Sequence, residues 1–146
     1  MSLSGKYDDE NVFARILRGS AEVVKVYEDA QTLAFMDAFP QATGHVLVIP
    51  KEERCRNILD ISGNGLVHLI STVQRVAQAV SAALAPDGVS ILQFNGAAGG
   101  QTVYHLHFHV IPRWAGEELA PHAQGVGAER SELEAVAERI SAAMSP

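Results

Sequence analysis

The chain carries a single cysteine, Cys55, in 146 residues. No internal disulfide framework is possible, and a lone thiol, read as structural, fits a reducing cytoplasm. Basic charge is scarce too: 11 Lys and Arg stand against 17 Asp and Glu, a formal charge of -6. That balance argues against broad binding to nucleic-acid backbones or anionic membrane surfaces, although a local pocket can still oppose the global field and hold an anionic small molecule. No apolar run approaches the ~20 residues that span a bilayer. The opening stretch, Met1 to Glu10, lacks the apolar core of a signal peptide. A soluble, cytoplasmic protein without nucleic-acid or membrane partners is expected, and no weight falls on its first few residues. Repeats, linkers and low-complexity blocks are also absent. At 47% hydrophobic, the chain suits one domain over residues 1–146, with its core in roughly 11–113 and a C-terminal loop and helix in 114–146.

Periodicity supplies the elements. Val12, Phe13, Ile16 and Leu17 share one face of a short helix that Asn11 caps and Gly19 stops. Val23 to Tyr27 and Thr32 to Met36 are β-branched or aromatic runs around Glu28-Asp29-Ala30-Gln31, which predicts an antiparallel hairpin. After the breaker-rich loop Pro40 to Gly44, the run His45 to Ile49, closed by Pro50, reads as the most buried strand. Lys51 to Asn57 reads as charged and solvated. From Ser62 to Ala85, Leu66, Leu69, Ile70, Val73, Val76, Ala77, Val80, Ala83 and Leu84 follow helical spacing and offer apolar surface for both a core and an interface. Val89 to Phe94 is then a strand, and the glycine-rich loop Asn95 to Gly100 makes it an antiparallel neighbour of Tyr104 to Pro112. Glu129 to Met144 closes the chain as a helix with Leu133, Val136, Ala137, Ile140 and Ala143 on one face. The class is α+β with an antiparallel sheet of about five strands.

Chemistry concentrates in Tyr104-His105-Leu106-His107-Phe108-His109-Val110, which holds three of the six histidines. Strand alternation puts His105, His107 and His109 on one face, roughly 7 Å apart, and Leu106, Phe108 and Val110 on the other. A merely wet face would carry Lys, Thr or Glu instead of three residues poised to titrate near neutrality. Two readings of the row stay open. A metal ion could take two of the imidazoles; His105 and His109 lie roughly 13 Å apart along a strand, so a pair would need a further ligand such as His45 or Asp37. Alternatively a neutral imidazole attacks phosphorus, with its neighbours steadying phosphoryl oxygens. The glycine loop just upstream lets backbone N–H groups approach an anion, and Gln101 and Thr102 add side-chain donors. His68 and His122 default to structural or solvent roles.

His105-Leu106-His107-Phe108-His109-Val110-Ile111 resembles the histidine-triad signature. Phe35-Met36-Asp37 and Gly44-His45-Val46-Leu47-Val48-Ile49-Pro50-Lys51 resemble that family's upstream blocks, so the likeness runs from about Asn11 to Arg113. The resemblance implies the histidine-triad fold, with a long helix and short flanking N- and C-terminal helices on the sheet, commonly paired as a homodimer. It also implies a hydrolase or nucleotidyl transferase acting at the α-phosphate of nucleoside phosphoramidates or dinucleoside polyphosphates, with a purine nucleotide as substrate and no cofactor. His107 is then the nucleophile, His105 orients it, and His109, Gln101 and Thr102 contact the phosphate or leaving group, with His45 a further donor. Asp37 is expected on the ribose hydroxyls and Asn95 near the phosphate or ribose; Phe13, Ile16 and Phe35 wall the base. Relatives that hold a structural zinc use a Cys-x-x-Cys and a histidine where this chain has Asn11, Ala14 and Glu53, so no metal is expected. A metal-dependent hydrolase using the His-x-His pair and a non-catalytic nucleotide-binding protein are the rival readings.

Overall fold

A computed structural model describes residues 3–121 and 127–144. The order is α1 (Val12–Leu17), β1 (Lys25–Glu28), β2 (Thr32–Met36), β3 (Val46–Pro50), α2 (Gly63–Leu84), β4 (Gly88–Leu92), β5 (Phe108–Arg113) and α3 (Arg130–Ala142), with a 3-10 turn at Ala97–Gly99. The strands form one five-stranded antiparallel sheet ordered β1-β2-β3-β5-β4. The expected α+β class and hairpins are therefore present. His122 lies outside the described residues.

Side-chain alternation sorts the sheet into two faces. Ala34, Met36, Val46, Val48, Phe108 and Val110 meet α2 and α3 through Leu69, Val73, Val76, Val80, Leu133 and Ile140. Leu33, Phe35, Leu47 and Ile49 turn the other way and are covered by Phe13 of α1. With cover on both faces, every residue of β2 and β3 is buried, which explains their near-continuous apolar sequences. On α2 the buried stripe includes Thr72, whose hydroxyl bonds Thr32 at 3.0 Å, whereas Ile70 stands 45% exposed and is not a core residue.

Local chemistry sets the element ends. Asn11 Oδ1 accepts the Ala14 N–H and caps α1. Ser62 Oγ accepts the Gly65 N–H at the start of α2, while Glu53 accepts both the Ser62 N–H and its hydroxyl. The residues at the positions compared with zinc ligands thus serve as helix caps or lie within a capped turn.

Two expectations need correction. The segment Lys51 to Asn57 is not solvated throughout: Cys55, Arg56 and Asn57 are buried. The histidine strand is also shorter than the pattern suggests, because β5 begins only at Phe108. Its antiparallel register with β3 ends at Val48↔Phe108. Two residues on it would set Leu106 against Pro50, which has no N–H to give. Leu106 instead donates to the Cys55 carbonyl at 2.9 Å. His105 and His107 therefore stand on irregular chain ahead of the strand.

Gly44 occupies φ +86°, and a Cβ there would overlap Leu84 Cδ1 and sit 3.0 Å from Pro112 Cγ. Backbone strain and overpacking combine. Gly44→Ala is expected to lower stability by about 2–4 kcal/mol, read from the urea midpoint at an unchanged m-value.

Candidate active site

The site lies on the α1 side of the sheet: Asp37 and His45 flank the turn between β2 and β3, β5 contributes His109, and the chain entering β5 contributes His105 and His107. Asp37 follows the end of β2, and its N–H donates to the His45 carbonyl at 3.0 Å, which ties it to the residue that opens β3. His109 pairs with Leu47 in the ladder. All four of His45, His105, His107 and His109 are buried, at 0%, 1%, 5% and 2% exposure. That disposes of a wet histidine face.

Burial forces each imidazole to find partners, and the partners assign the protons. A carbonyl oxygen only accepts. His107 Nδ1 lies 2.7 Å from the His105 carbonyl, so Nδ1 carries the hydrogen and, in the neutral ring, Nε2 carries the lone pair. His105 Nε2 lies 2.9 Å from the Pro50 carbonyl, so Nε2 is protonated and Nδ1 accepts from the Tyr7 hydroxyl at 2.5 Å. His45 Nδ1 accepts the Gln41 N–H at 3.1 Å. Its hydrogen is therefore on Nε2 and is donated to His109 Nδ1 at 2.9 Å. Neutral His109 must then hold its own hydrogen on Nε2. The rings pack edge-on, with centroids 5.1 Å apart for both His45–His109 and His107–His109, and Phe13 stands edge-on to His107 at 5.0 Å.

A cavity of about 270 Å³ opens beside this cluster. Phe13, Ile16, Phe35, Asp37, Thr102, His107 and His109 all line it, together with Val103 and Leu47. It is apolar at the α1 end, with the Glu22 and Asp37 carboxylates and two imidazoles among its polar lining, which suits a small ligand with one flat apolar part and one polar part. A larger cavity lined by Gln41, Arg113 and Trp114 contains none of these histidines.

Four candidates do not line the cavity: His45 and His105, which are joined to it through His109 and His107, and Gln101 and Asn95. Gln101 is buried, with Oε1 accepting the Gly96 N–H and Nε2 donating to the Arg56 and Val103 carbonyls. Asn95 Oδ1 accepts from the Ile58 N–H and Gln93 Nε2, while its Nδ2 donates to Gln93. Both side chains brace the glycine loop and the 55–60 segment rather than a phosphate. Sequence reasoning had no signal for Tyr7, which sits in a stretch given no weight. Nor did it find Arg56, hidden in a charged run yet buried with its guanidinium 4.8 Å from the Tyr104 ring centre. Phe94, edge-on to His109 at 5.6 Å, was also unmarked as a site neighbour.

Asp37, His45 and His109 offer ligand atoms within 4.8 Å of one another, the set the metal reading would need. The hydrogen-bond pattern opposes that use. His45 presents a protonated Nε2 to the cluster, and His109 Nδ1 already accepts that hydrogen, so an ion there would have to displace the bond joining the two rings. Among other groups, burial and the nearby Asp60 and Glu53 charges push the Cys55 thiol up to about 12, which keeps it protonated and inert. His68 pairs with Asp29 at 3.1 Å, a structural contact away from the cavity.

Residues 18–116 match the family model described as the HIT domain. The chain is 35% identical over 135 residues to the adenosine 5'-monophosphoramidase hnt1 of Schizosaccharomyces pombe, covering 89% of this chain and 95% of that one. It is 33% identical over 136 residues to the adenylylsulfatase HINT3 of Arabidopsis thaliana, covering 89% of this chain and 68% of that one. Among solved structures, the Hit-like protein involved in cell-cycle regulation from Bartonella henselae, crystallised with an unknown ligand, superposes with a TM-score of 0.89 at 46% identity, covering 95% of this chain and 99% of that one.

Burial holds His105 below its ordinary value of 6.5, and the Pro50 carbonyl, which favours the charged ring, does not reverse the shift. The folded state thus binds fewer protons here than the unfolded chain between the depressed pKa and 6.5, so stability falls as pH drops through that window and is fully present above it. His105→Gln is expected to flatten this part of the profile, measured by urea unfolding from pH 5 to 7.5.

Proposed function

Because the chain belongs to the HIT domain family, whose members here include hydrolases of adenylyl compounds, we propose that it hydrolyses a purine nucleoside phosphoramidate, or a related dinucleoside polyphosphate, through a covalent nucleotidyl-His107 intermediate. The observation that carries the reading is the His107 Nδ1 bond to the His105 carbonyl, which leaves the neutral ring's lone pair on Nε2 in a residue that lines the cavity. A ring in that state is a nucleophile without prior deprotonation.

In the proposed reaction a purine lies between Phe13, Ile16 and Phe35, and Asp37 accepts hydrogen bonds from the ribose hydroxyls. His107 Nε2 attacks the α-phosphorus in line. The N–P bond forms as the bond to the leaving amine breaks, and the amine departs with a proton from solvent. His109, with its hydrogen on Nε2, steadies the phosphoryl oxygens, and Thr102 adds a hydroxyl. His45 holds His109 in that tautomer. Water then adds to phosphorus, releasing the nucleoside monophosphate and restoring His107. For a dinucleoside polyphosphate the departing group is a nucleotide phosphate, and the rest is unchanged. The charge added to the buried imidazole on attack is met by the His105 carbonyl.

The test is incubation with adenosine 5'-phosphoramidate in the presence of chelator, followed by acid-free mass spectrometry for an adenylyl group on His107. Turnover is expected with chelator present, and His107→Ala should lower kcat at least ~10³-fold while still binding the nucleoside monophosphate. Turnover that survives His107→Ala, or that chelator abolishes, refutes the mechanism. Binding with no turnover in the parent favours the non-catalytic reading.

The same reading includes a homodimer. β4 is an edge strand with Ile91 42% exposed, and α2 exposes Val67 and Ile70, so the surface carries both an open hydrogen-bonding edge and apolar area. Sedimentation equilibrium is expected to give a mass twice that of the chain, and Ile91→Lys to shift it towards one chain.

A further inference from the structure

The segment before α1 is fastened to the 56–57 stretch, to the glycine loop and to His105. Asn57 Nδ2 donates to the Leu3 carbonyl at 2.8 Å, and Arg56 Nη1 donates to the Lys6 carbonyl at 3.3 Å. Leu3 covers Gly96, where a Cβ would come within 3.1 Å of Leu3 Cδ2. The last point is Tyr7, whose hydroxyl reaches His105 Nδ1, its ring edge-on to the imidazole with centroids 5.7 Å apart.

We propose that Tyr7 is a positioning residue for His107, acting through His105. His105 Nε2 donates to the Pro50 carbonyl and its Nδ1 accepts from Tyr7, so the ring is held from opposite sides and cannot flip or change tautomer without losing one bond. The backbone carbonyl of the same residue receives His107 Nδ1–H. His105 and His107 have no ladder partners to hold them, since the sheet begins at Phe108. The Leu106 N–H bond to the Cys55 carbonyl holds the peptide that carries the His105 carbonyl, and the His105 ring, fastened on both sides, is the second anchor that fixes this residue behind the nucleophile. Burial keeps the Tyr7 hydroxyl protonated and hence a donor. The part of the inference that concerns turnover rests on the proposed function; the part that concerns the ring does not.

Tyr7→Phe in the full chain keeps the aromatic contact and removes only the hydroxyl. Its kcat on adenosine 5'-phosphoramidate is expected to fall about tenfold, with KM and the thermal midpoint close to the parent's. Long-range ¹H–¹⁵N spectra of the imidazoles should show His105 Nδ1 shifting while Nε2 stays protonated. A parental kcat, unmoved His105 nitrogens, or a kcat loss matched by an equal change in KM overturns the proposal. The parent alone provides a check that needs no variant: His105 must appear as the Nε2–H tautomer, and an Nδ1–H His105 also overturns it. If the parent forms no adduct on His107, the proposed function fails while the nitrogen spectra still decide the role of Tyr7.

Discussion

The hydrogen bond from His107 Nδ1 to the carbonyl of His105, only two residues before it, is the constraint around which the site is arranged. A regular strand could not make it, because its carbonyls point along the ladder to neighbouring strands. The chain must leave the sheet to bring the carbonyl of one histidine beside the ring of the next. Pro50 supplies the reason for that departure by withholding an N–H at the position where the ladder would have continued.

Once the chain has left the ladder, its backbone groups need other partners. Leu106 N–H goes to Cys55, the Val103 and Arg56 carbonyls go to Gln101 Nε2, and Gln101 Oε1 receives Gly96 N–H. The bonds to Cys55 and Arg56 tie this segment to the 55–57 stretch, and the bond from Gly96 ties it to the glycine loop. That explains why Cys55, Arg56 and Asn57 are buried in what reads as a charged run. It also accounts for Gln101, whose polar atoms are spent on the scaffold. The second relay, from Gln41 N–H through His45 to His109, works in the same way: a main-chain donor outside the cavity fixes the hydrogen on a ring inside it.

Much of this was legible beforehand. The apolar runs of β2 and β3 announce burial on both faces, the spacing in α2 announces a packed helix, and alternation correctly separates Leu106, Phe108 and Val110 from the histidines. Asp37, Thr102, Phe13, Ile16 and Phe35 were named as neighbours of His107 and His109 on resemblance, and all seven line one cavity. What alternation could not give was the end of the strand at Phe108, since a pattern of side chains survives when the chain stays extended but loses its ladder. Helical spacing alone does not say which of the α2 apolar residues enter the core: Ile70 stands at a rim position, 45% exposed. Tyr7 was missed because a single tyrosine before a short helix has no period to mark it.

The sequence by itself determined the fold class and the residue types of the site, because both follow from local periodicity and from a motif whose parts adjoin along the chain. Which nitrogen of His45, His105, His107 and His109 bears the proton is fixed only by the fold. That choice depends on the Pro50 carbonyl and the Tyr7 hydroxyl, both far from His105 in the chain, and on the nearby Gln41 N–H, whose aim the turn before β3 sets; none of these partners is marked as such in a sequence. Adjacency could suggest three equivalent imidazoles. The family resemblance ranks them, and the fold supplies the different hydrogen-bond partners that set them apart.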